Sequence, residues 1–195
     1  MCAFGCVNRT FRSMVYWITW KWKFTAQGII KPTDMHYFIG LGSNKGDRLK
    51  HLSTASEQMK GLGRLLRRSS IYETEPYGIT DQNTFLNAVL LFDFSLCPFR
   101  VIRKLKSLET RMGRTKNIRW GSRVIDLDII DYAGQAEINT EVLTLPHCRM
   151  SERNFVLYPL QEIAPDYRNR QGVSIEQLIK QNTDQSQMKR FTKQW

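Results

Sequence analysis

The stretch His36-Tyr37-Phe38-Ile39-Gly40-Leu41 is a short run of apolar and aromatic residues, and Gly42-Ser43-Asn44 follows it. Such a run, closed by glycine, serine and asparagine, is typical of a strand that ends in a turn. Residues 47–60 come next, with apolar side chains at helical spacing and Asp47 placed to cap the first turn. A strand followed directly by a helix therefore opens the fold.

The same alternation continues along the chain. We predict three further strands, a helix beginning at Pro98 and two terminal helices, with the strands at 65–72, 85–94 and 123–132 and the terminal helices at 174–181 and 185–192. The order strand-helix-strand-strand-helix-strand is typical of an α+β, ferredoxin-like split β-α-β sandwich. We expect a mainly antiparallel sheet with helices packed on one face and the other face left free for a ligand or further loops.

Composition predicts a globular protein with an anionic partner. Of the 195 residues, 42% are hydrophobic, which excludes wholesale disorder. Lys and Arg number 29 against 18 Asp and Glu, a net charge of +11 that favours nucleic acid, lipid headgroups or a phosphorylated small molecule. The four cysteines form no C-x-x-C pair, so we expect a reducing compartment. No apolar run reaches the roughly 20 residues of a membrane helix.

Residues 1–34 differ from the rest of the chain. They combine five basic residues with the short aromatic stretch Met14–Trp20 and offer a weak match to a signal peptide. Mixed aromatic and basic residues also occur in membrane-surface helices. We interpret 1–34 as a leader outside the fold, with Met35 as a candidate initiator, and 35–195 as the functional domain.

Positive charge is concentrated in residues 100–123. This segment holds nine basic residues and one acid, Glu109. Charged residues on a helix are usually a solvated face, and this reading fits the residues near Arg100. The loop 113–123 is different, because its four cations lie among glycines without an apolar period. Arginines on such a loop are forked donors suited to phosphate oxygens.

Two carboxylates follow this loop directly. Asp126 and Asp128 alternate with apolar residues in a predicted strand, so they project to the same face while Leu127 faces the core. Neighbouring carboxylates repel each other unless a cation lies between them, and Mg²⁺ prefers one or two carboxylates plus waters and substrate phosphates. Arginines beside such a site indicate transfer of a phosphorus group. The Walker A, dinucleotide-binding, protein-kinase and Ser-His-Asp signatures are absent from the sequence.

Five segments occur in a characteristic order: Ile39–Asn44, Tyr72–Asn87, Arg119–Ile129, Leu145–His147 and Arg153–Pro165. Together they resemble the 6-hydroxymethyl-7,8-dihydropterin pyrophosphokinase family of folate biosynthesis, over about 36–195. The resemblance implies transfer of diphosphate from ATP to 6-hydroxymethyl-7,8-dihydropterin, with release of AMP. It also implies two Mg²⁺ ions bound by Asp126 and Asp128.

The resemblance further implies roles for individual residues. The catalytic set is Arg114, Arg123, Asp126 and Asp128. The ATP-binding set is Lys106, Glu109, Lys116, Arg119, Trp120, Ile129, Thr144, His147 and Arg153. The pterin-binding set is Thr74, Pro76, Tyr77, Gly78, Phe85, Asn87 and Phe155, with Phe85 and Phe155 stacking on the ring and Asn87 reading its polar edge. Without the surrounding motifs, the two phenylalanines read as ordinary core.

Some residues depart from the family pattern. Ser122 replaces the usual proline, Lys116 an arginine, Phe85 a tyrosine, and Cys148 a frequent tyrosine or proline. None of these changes removes a predicted metal ligand or the pterin amide. We expect small-molecule substrates rather than nucleic acid or a membrane as partners, a cytoplasmic location and a monomer. The alternative is an RNA-binding module on the same frame, which basic charge and aromatics would suit.

Overall fold

The chain divides into two compact units, Met1–Asp34 and Met35–Trp195. The computed structural model describes residues 35–76, 81–114, 121–132 and 137–195, and in the first unit the two short strands β1 (Lys23–Thr25) and β2 (Gly28–Ile30). These two strands pair antiparallel. The remaining residues of the predicted leader lie outside the described residues.

The second unit follows the predicted order of strands and helices up to residue 131, except that one predicted strand is divided in two. Its first part comprises β3 (His36–Ser43), α1 (Arg48–Lys60), β4 (Arg64–Arg68), β5 (Ile71–Thr74), β6 (Phe85–Asp93), α2 (Pro98–Arg111) and β7 (Asp126–Asp131). Its second part comprises β8 (Ile138–Asn139), β9 (Thr144–Leu145), a 3₁₀ turn (Met150–Glu152), α3 (Asn154–Ile163), α4 (Ile175–Gln181) and β10 (Met188–Thr192).

The main sheet has the strand order β10-β5-β6-β3-β7. Strand β4 pairs with the same edge of β6 as β5, one after the other along that edge. Every strand pair in this sheet is antiparallel. The ferredoxin-like α+β fold with a mainly antiparallel sheet is therefore confirmed. Since β3 lies between β6 and β7, residues from these three strands can meet on one face.

Helices α1 and α2 cover one face of the sheet. Asp47 accepts the main-chain N–H of Lys50 at 3.0 Å, which caps α1 at its predicted start. Both helices bury an apolar stripe at helical spacing, exemplified by Leu52 on α1 and by Leu105 and Leu108 on α2. This core also takes Leu127 and Ile129 from β7.

The opposite face is not left free, which corrects the prediction of helices on one face only. Helices α3 and α4 pack there against Phe38, Val89 and Ile130. The apolar residues of α3, such as Leu157 and Leu160, are buried in this second core. The apolar segments that form α3 and α4 are short, and their sequences do not indicate which face of the sheet they cover. The polar part of this sheet face lines a cavity.

Two predicted elements are wrong. Residues 185–192 do not form a helix, because Met188–Thr192 pairs with β5 as the edge strand β10 and Lys189 forms an ion pair with Glu73 at 2.9 Å. The predicted strand 65–72 is two strands along one edge of β6, because the strand is interrupted at Ser69 and Ser70, where the Ser70 main-chain N–H bonds Glu162 of α3 at 2.9 Å. In both cases, contacts with residues far away in the sequence determine the secondary structure.

None of the helices in the described part of the chain has the length and apolarity needed to cross a membrane.

Candidate active site

A cavity of about 210 Å³ opens on the sheet face that α3 partly covers. Its lining combines residues from β3, β6 and β7 with residues from α3 and from the segments that precede β7 and α3. Nine residues of the three predicted sets line it: Thr74, Phe85, Asn87, Arg123, Asp126, Asp128, His147, Arg153 and Phe155. Residues distant in sequence therefore meet in one place, although they were predicted for two different substrates.

Glycines on β3 form the floor of this cavity. Gly42 is directly cross-strand from Asn87 on one side and from Asp126 on the other. Gly40 is paired in the same way with Val89 and Asp128. A Cβ added at Gly42 would lie 3.0 Å from the Asn87 Oδ1 atom, closer than ordinary contact. The floor stays open because these two positions carry no side chain.

One end of the cavity combines aromatic rings with a fixed amide. Asn87 is 5% exposed and donates its Nδ2–H to the Thr74 hydroxyl at 2.8 Å. This bond sets the orientation of the amide, whose oxygen lies beside Gly42. Phe85 from β6 and Phe155 from α3 also line the cavity, and the Arg153 guanidinium lies 5.4 Å from the centre of the Phe155 ring. A flat heterocycle with a polar edge suits this lining.

The other end carries the paired carboxylates. Asp126 and Asp128 lie on one face of β7 and line the cavity, whereas Leu127 and Ile129 are buried in the core on the opposite face. The predicted alternation of carboxylates on one face and apolar residues on the other is therefore present in β7. The side chains of Asp126 and Asp128 are 22% and 34% exposed, so both remain accessible from the cavity.

Three cations neutralise these carboxylates. Lys106 of α2 lies 2.9 Å from the Asp128 carboxylate, and it also donates to the main-chain oxygen of Leu127 at 2.8 Å. The Arg114 guanidinium lies 2.7 Å from the Asp126 carboxylate, and Arg123 forms a second ion pair with Asp126. Arginine and lysine side chains also bind phosphate oxygens, so a phosphorylated ligand would compete with the aspartates for these cations.

Glu109 completes this network from the buried side. Its side chain is 2% exposed, pairs with Lys106 at 2.9 Å and also pairs with Arg114. The same carboxylate accepts the main-chain N–H of Leu127 at 2.6 Å, which ties α2 to β7. In this structure Glu109 therefore holds the cations and the strand in register. Three carboxylates and three cations balance in charge.

Burial and charge shift the pKa values in opposite ways. Burial alone would lower the pKa of Lys106, but Asp128, Glu109 and Asp126 outweigh burial and raise it. Burial would raise the pKa of Asp128, but Lys106 outweighs it and the net shift is downward. Both groups are therefore charged at neutral pH. Burial raises the pKa of Glu109, and the nearby Lys106 opposes that effect.

His147 presents a neutral imidazole to the cavity. Burial lowers its pKa, and the attraction of Asp128 offsets this only in part. Its Nδ1 atom accepts the main-chain N–H of Arg149 at 3.2 Å, so the remaining ring proton resides on Nε2. The main-chain N–H of His147 donates to the Ile130 oxygen at 2.8 Å, which fixes the residue beside β7. A single N–H donor is thus available for a substrate oxygen.

Several predicted residues do not line the cavity. The Ile129 side chain is 2% exposed in the core on the opposite sheet face, so it does not reach the cavity as predicted. Pro76 and Thr144 are described, but neither belongs to the lining. Five predicted residues lie outside the described residues: Tyr77, Gly78, Lys116, Arg119 and Trp120.

The sequence reading missed the glycine floor and one buried bridge. The Gly40-x-Gly42 spacing was the available signal, since residues two apart in a strand share a face. The bridge is Asn44, which bonds segments on both sides of the cavity. Its only sequence signal was its place directly after the first strand, so nothing there identified its partners.

The residues present suit a magnesium site. In the described parts of the chain, no group of three or more His, Cys, Asp and Glu side chains is placed to hold a metal ion. Two accessible carboxylates, with further ligands from water and phosphate, are the donor set that Mg²⁺ prefers. The cavity supplies this pair at Asp126 and Asp128.

Comparison with known proteins agrees with this geometry. A family model described as 7,8-dihydro-6-hydroxymethylpterin-pyrophosphokinase matches residues 38–165. The 2-amino-4-hydroxy-6-hydroxymethyldihydropteridine pyrophosphokinase of Methylorubrum extorquens is 45% identical over 131 residues, which cover 66% of this chain and 82% of that protein. The enzyme of the same name from Bacillus subtilis is 44% identical over 128 residues, covering 65% and 76%.

Larger proteins also match, over part of their own length. The mitochondrial folate synthesis bifunctional protein of Pisum sativum is 43% identical over 135 residues, which are 69% of this chain but 26% of that protein. The solved structure of wild-type Plasmodium falciparum HPPK-DHPS aligns with a TM-score of 0.59 and 16% identity, covering 74% of this chain and 40% of that one. At this identity the likeness supports the fold alone.

These comparisons give no support to the RNA-binding alternative. In the cavity, two carboxylates lie among the basic side chains, and these carboxylates would repel the phosphates of RNA. Because the family model covers more than half of the chain and single-function relatives match over most of their own length, the chain belongs to the 7,8-dihydro-6-hydroxymethylpterin-pyrophosphokinase family, the pyrophosphokinases of folate biosynthesis.

Proposed function

We propose that this one cavity transfers diphosphate from ATP to 6-hydroxymethyl-7,8-dihydropterin and releases AMP. The observation that carries the proposal is the row Asn87-Gly42-Asp126 across the sheet, which joins the aromatic end of the cavity to its carboxylate end. A dihydropterin bound at the first end would direct its hydroxymethyl group along the glycine floor toward the second. Both substrates would then meet without any rearrangement of the sheet.

The aromatic end would bind the pterin. Phe85 and Phe155 would stack on the ring, which favours a flat heterocycle over a saturated one. Asn87 would pair with the polar edge of the ring, and its bond to Thr74 holds the amide ready for this. A buried amide rejects analogues that lack its partner atoms more strongly than apolar packing does. Tyr77, Gly78 and Pro76 remain predictions for the rim of this end.

The carboxylate end would bind the triphosphate together with two Mg²⁺ ions held by Asp126 and Asp128. When bound, Mg²⁺ would neutralise charge on the oxygens that enter and leave the transferred phosphorus. The cations Lys106, Arg114 and Arg123, now paired with the carboxylates, would turn to the phosphate oxygens. His147 and Arg153 line the cavity on the α3 side, and there they would contact the phosphate nearest the adenosine.

The reaction needs positioning more than proton transfer. The pterin hydroxyl oxygen forms a bond to the β-phosphorus of ATP and releases its proton to water. The bond from that phosphorus to the oxygen bridging to the α-phosphate breaks, so AMP leaves with that oxygen and both of its electrons. Holding the two substrates in line supplies much of the rate enhancement in such transfers. No side chain is assigned as a general base. Lys116, Arg119, Trp120 and Thr144 stay predictions for nucleotide binding, and Ile129 could contribute only through its main chain.

Nucleotide analysis tests this proposal. Incubation of the full chain with ATP, Mg²⁺ and 6-hydroxymethyl-7,8-dihydropterin should yield AMP in amounts equal to the pterin diphosphate formed. Omission of either the pterin or Mg²⁺ should stop AMP formation. ADP as the product, or consumption of ATP that does not depend on the pterin, would refute the assignment. Size-exclusion chromatography with light scattering during the same preparation would test the expected monomer.

A further inference from the structure

Asn44 bridges the two segments that flank the cavity. The residue follows β3 directly and is 1% exposed. Its Nδ2 group donates to the Gln82 Oε1 atom at 3.0 Å and to the main-chain oxygen of Asn83 at 3.2 Å. Its Oδ1 atom accepts the main-chain N–H of Arg123 at 2.6 Å. One side chain therefore joins the segment that enters β6 to the segment that enters β7.

The bonds of Asn44 use its amide in a way that other side chains cannot reproduce. Both amide hydrogens and the amide oxygen have partners of the opposite kind. If the amide were rotated by 180°, its NH₂ group would face the Arg123 N–H, and its oxygen would face the main-chain oxygen of Asn83. Neither pair could form a hydrogen bond. Aspartate would keep the bond to Arg123 but could not donate to Asn83. The main chain adds a further link, because the Asn44 N–H donates to the Arg123 oxygen at 3.0 Å.

The bridged segments carry the groups whose separation matters for transfer. Gln82 and Asn83 lie just before Phe85, which lines the aromatic end of the cavity. Arg123 lines the carboxylate end and pairs with Asp126. A second contact supports the same arrangement, since the hydroxyl of the neighbouring Ser43 donates to the Val124 oxygen at 2.6 Å. The end of β3 is therefore the point to which both segments are tied.

We propose that Asn44 is a positioning residue that sets the distance and angle between the bound pterin and the cations that hold the triphosphate. This inference rests on the proposed function. Asn44 does not line the cavity, so its effect is on geometry and not on substrate contact. Misplacement of reacting groups by about 1 Å can cost about 100-fold in rate. In an Asn44 variant every side chain proposed to bind a substrate is still present, and only the placement of the two segments changes.

The proposal predicts a division between rate and affinity. In Asn44→Asp, the turnover number should fall about 30- to 100-fold. The dissociation constants of the pterin alone, and of a non-hydrolysable ATP analogue with Mg²⁺ alone, should change less than about threefold in titration calorimetry. A turnover number within twofold of the unchanged chain would overturn the proposal. A loss of affinity for one substrate that accounts for the whole loss of activity would overturn it as well.

A matched variant separates positioning from stability. Ser70→Ala removes a buried hydroxyl that bonds Glu162 at 2.7 Å, and Ser70 does not line the cavity. It should lower the melting temperature to an extent comparable with Asn44→Asp while the turnover number stays within twofold. If Ser70→Ala reduced turnover as strongly as Asn44→Asp at equal folded fraction, the special role of Asn44 would be refuted.

Amide hydrogen exchange provides a readout that does not depend on activity. The Arg123 N–H should exchange at least about tenfold faster in Asn44→Ala, and it should stay protected in Asn44→Asp, which keeps the acceptor. Equal protection in all three proteins would overturn the bridge. If the unchanged chain formed no AMP, the proposed function would fail, while exchange at Arg123 would still decide whether Asn44 holds this segment.

Discussion

Asn87 on β6 and Asp126 on β7 lie in one row of the sheet, because each is directly cross-strand from Gly42 on β3. Two strand spacings separate them, about 10 Å. Since Gly42 adds no side chain between them, the amide proposed to read the pterin and the carboxylate proposed to hold Mg²⁺ face one cavity. The antiparallel register of three strands thus fixes the separation of the two proposed substrate sites.

A methyl group at Gly42 should obstruct the pterin. In Gly42→Ala the added Cβ would lie 3.0 Å from Asn87 Oδ1 and 3.8 Å from a carbon of the Phe85 ring. We expect pterin affinity to fall at least about tenfold, equivalent to about 1.4 kcal/mol, with little change for the ATP analogue. Calorimetric titration measures both values.

Gly61→Ala is the matched control, because Gly61 has a helical φ of −69° at the end of α1 and the added Cβ would lie 3.4 Å from the main-chain oxygen of Gln58, an ordinary contact distance. It should bind both substrates normally. Unchanged pterin affinity in a folded Gly42→Ala would show that the floor does not border the pterin.

Removal of one carboxylate should abolish turnover and spare the fold. In Asp128→Asn the shape of the side chain is kept, but the charge proposed to hold Mg²⁺ is lost. Activity should fall more than about 100-fold, since changes outside the ligands themselves already cost 10- to 100-fold at metal sites. Lys106 keeps its partner Glu109, so circular dichroism should be unchanged. Asp93→Asn, at an ion pair of 3.5 Å with the exposed Arg64, should retain activity. Near-normal turnover in Asp128→Asn would contradict the metal assignment.

Glu73 should make stability depend on acid pH. The ion pair with Lys189, followed by the bond from Thr84, lowers the pKa of Glu73 from 4.5 to about 2. Its stabilising contribution is therefore complete above about pH 4.5 and is lost as the pH falls toward 2. Urea unfolding should show a difference between the unchanged chain and Glu73→Gln that is constant from pH 5 to 8 and shrinks below pH 4.5.

A lysine substitution checks the cause of that shift. Lys189→Met removes the first partner of Glu73 and should reproduce part of the pH effect, whereas Lys193→Met on the same terminal segment should not. A difference between the unchanged chain and Glu73→Gln that stays constant down to pH 2 would contradict the ion pair.

Tyr167 should support the second core. Its hydroxyl donates at 2.7 Å to Asp131, whose side chain is fully buried, and burial keeps the pKa of Tyr167 raised so that it remains a donor. Tyr167→Phe should lower the free energy of unfolding by about 1–3 kcal/mol, because the buried carboxylate loses a partner. Tyr158→Phe, at a side chain with 40% exposure, should change it little. Equal stabilities for the two variants, measured by urea unfolding, would oppose this role.

The strand that carries the carboxylates was predictable from sequence. Asp126 and Asp128 alternate with residues that only a buried face would accept, so their shared direction followed from the period of a strand. The first helix was also predictable, because the capping residue Asp47 and the apolar spacing after it both indicate a helix that begins there. In both β7 and α1, the residues that the sequence pattern assigns to the core are buried in the structure or packed against its core.

The edge strand and the second core were not predictable in this way. Met188–Thr192 has no strong local preference, and its strand conformation depends on pairing with β5, far away in sequence. The role of Asn44 likewise depends on partners about 40 and 80 residues away. The family resemblance implies that Ile129 borders the nucleotide, but its side chain lies in the core, because adjacent residues in a strand face opposite sides. Long-range pairing decides each of these features.

The most direct measurement follows the phosphorus atoms themselves. ATP labelled at its β-phosphorus is mixed with excess full-length protein, Mg²⁺ and 6-hydroxymethyl-7,8-dihydropterin, and the products of a single turnover are separated. The account predicts that all of the label leaves the nucleotide and is recovered in the pterin product, with unlabelled AMP. Label retained in ADP, with only the terminal phosphate transferred, would contradict it.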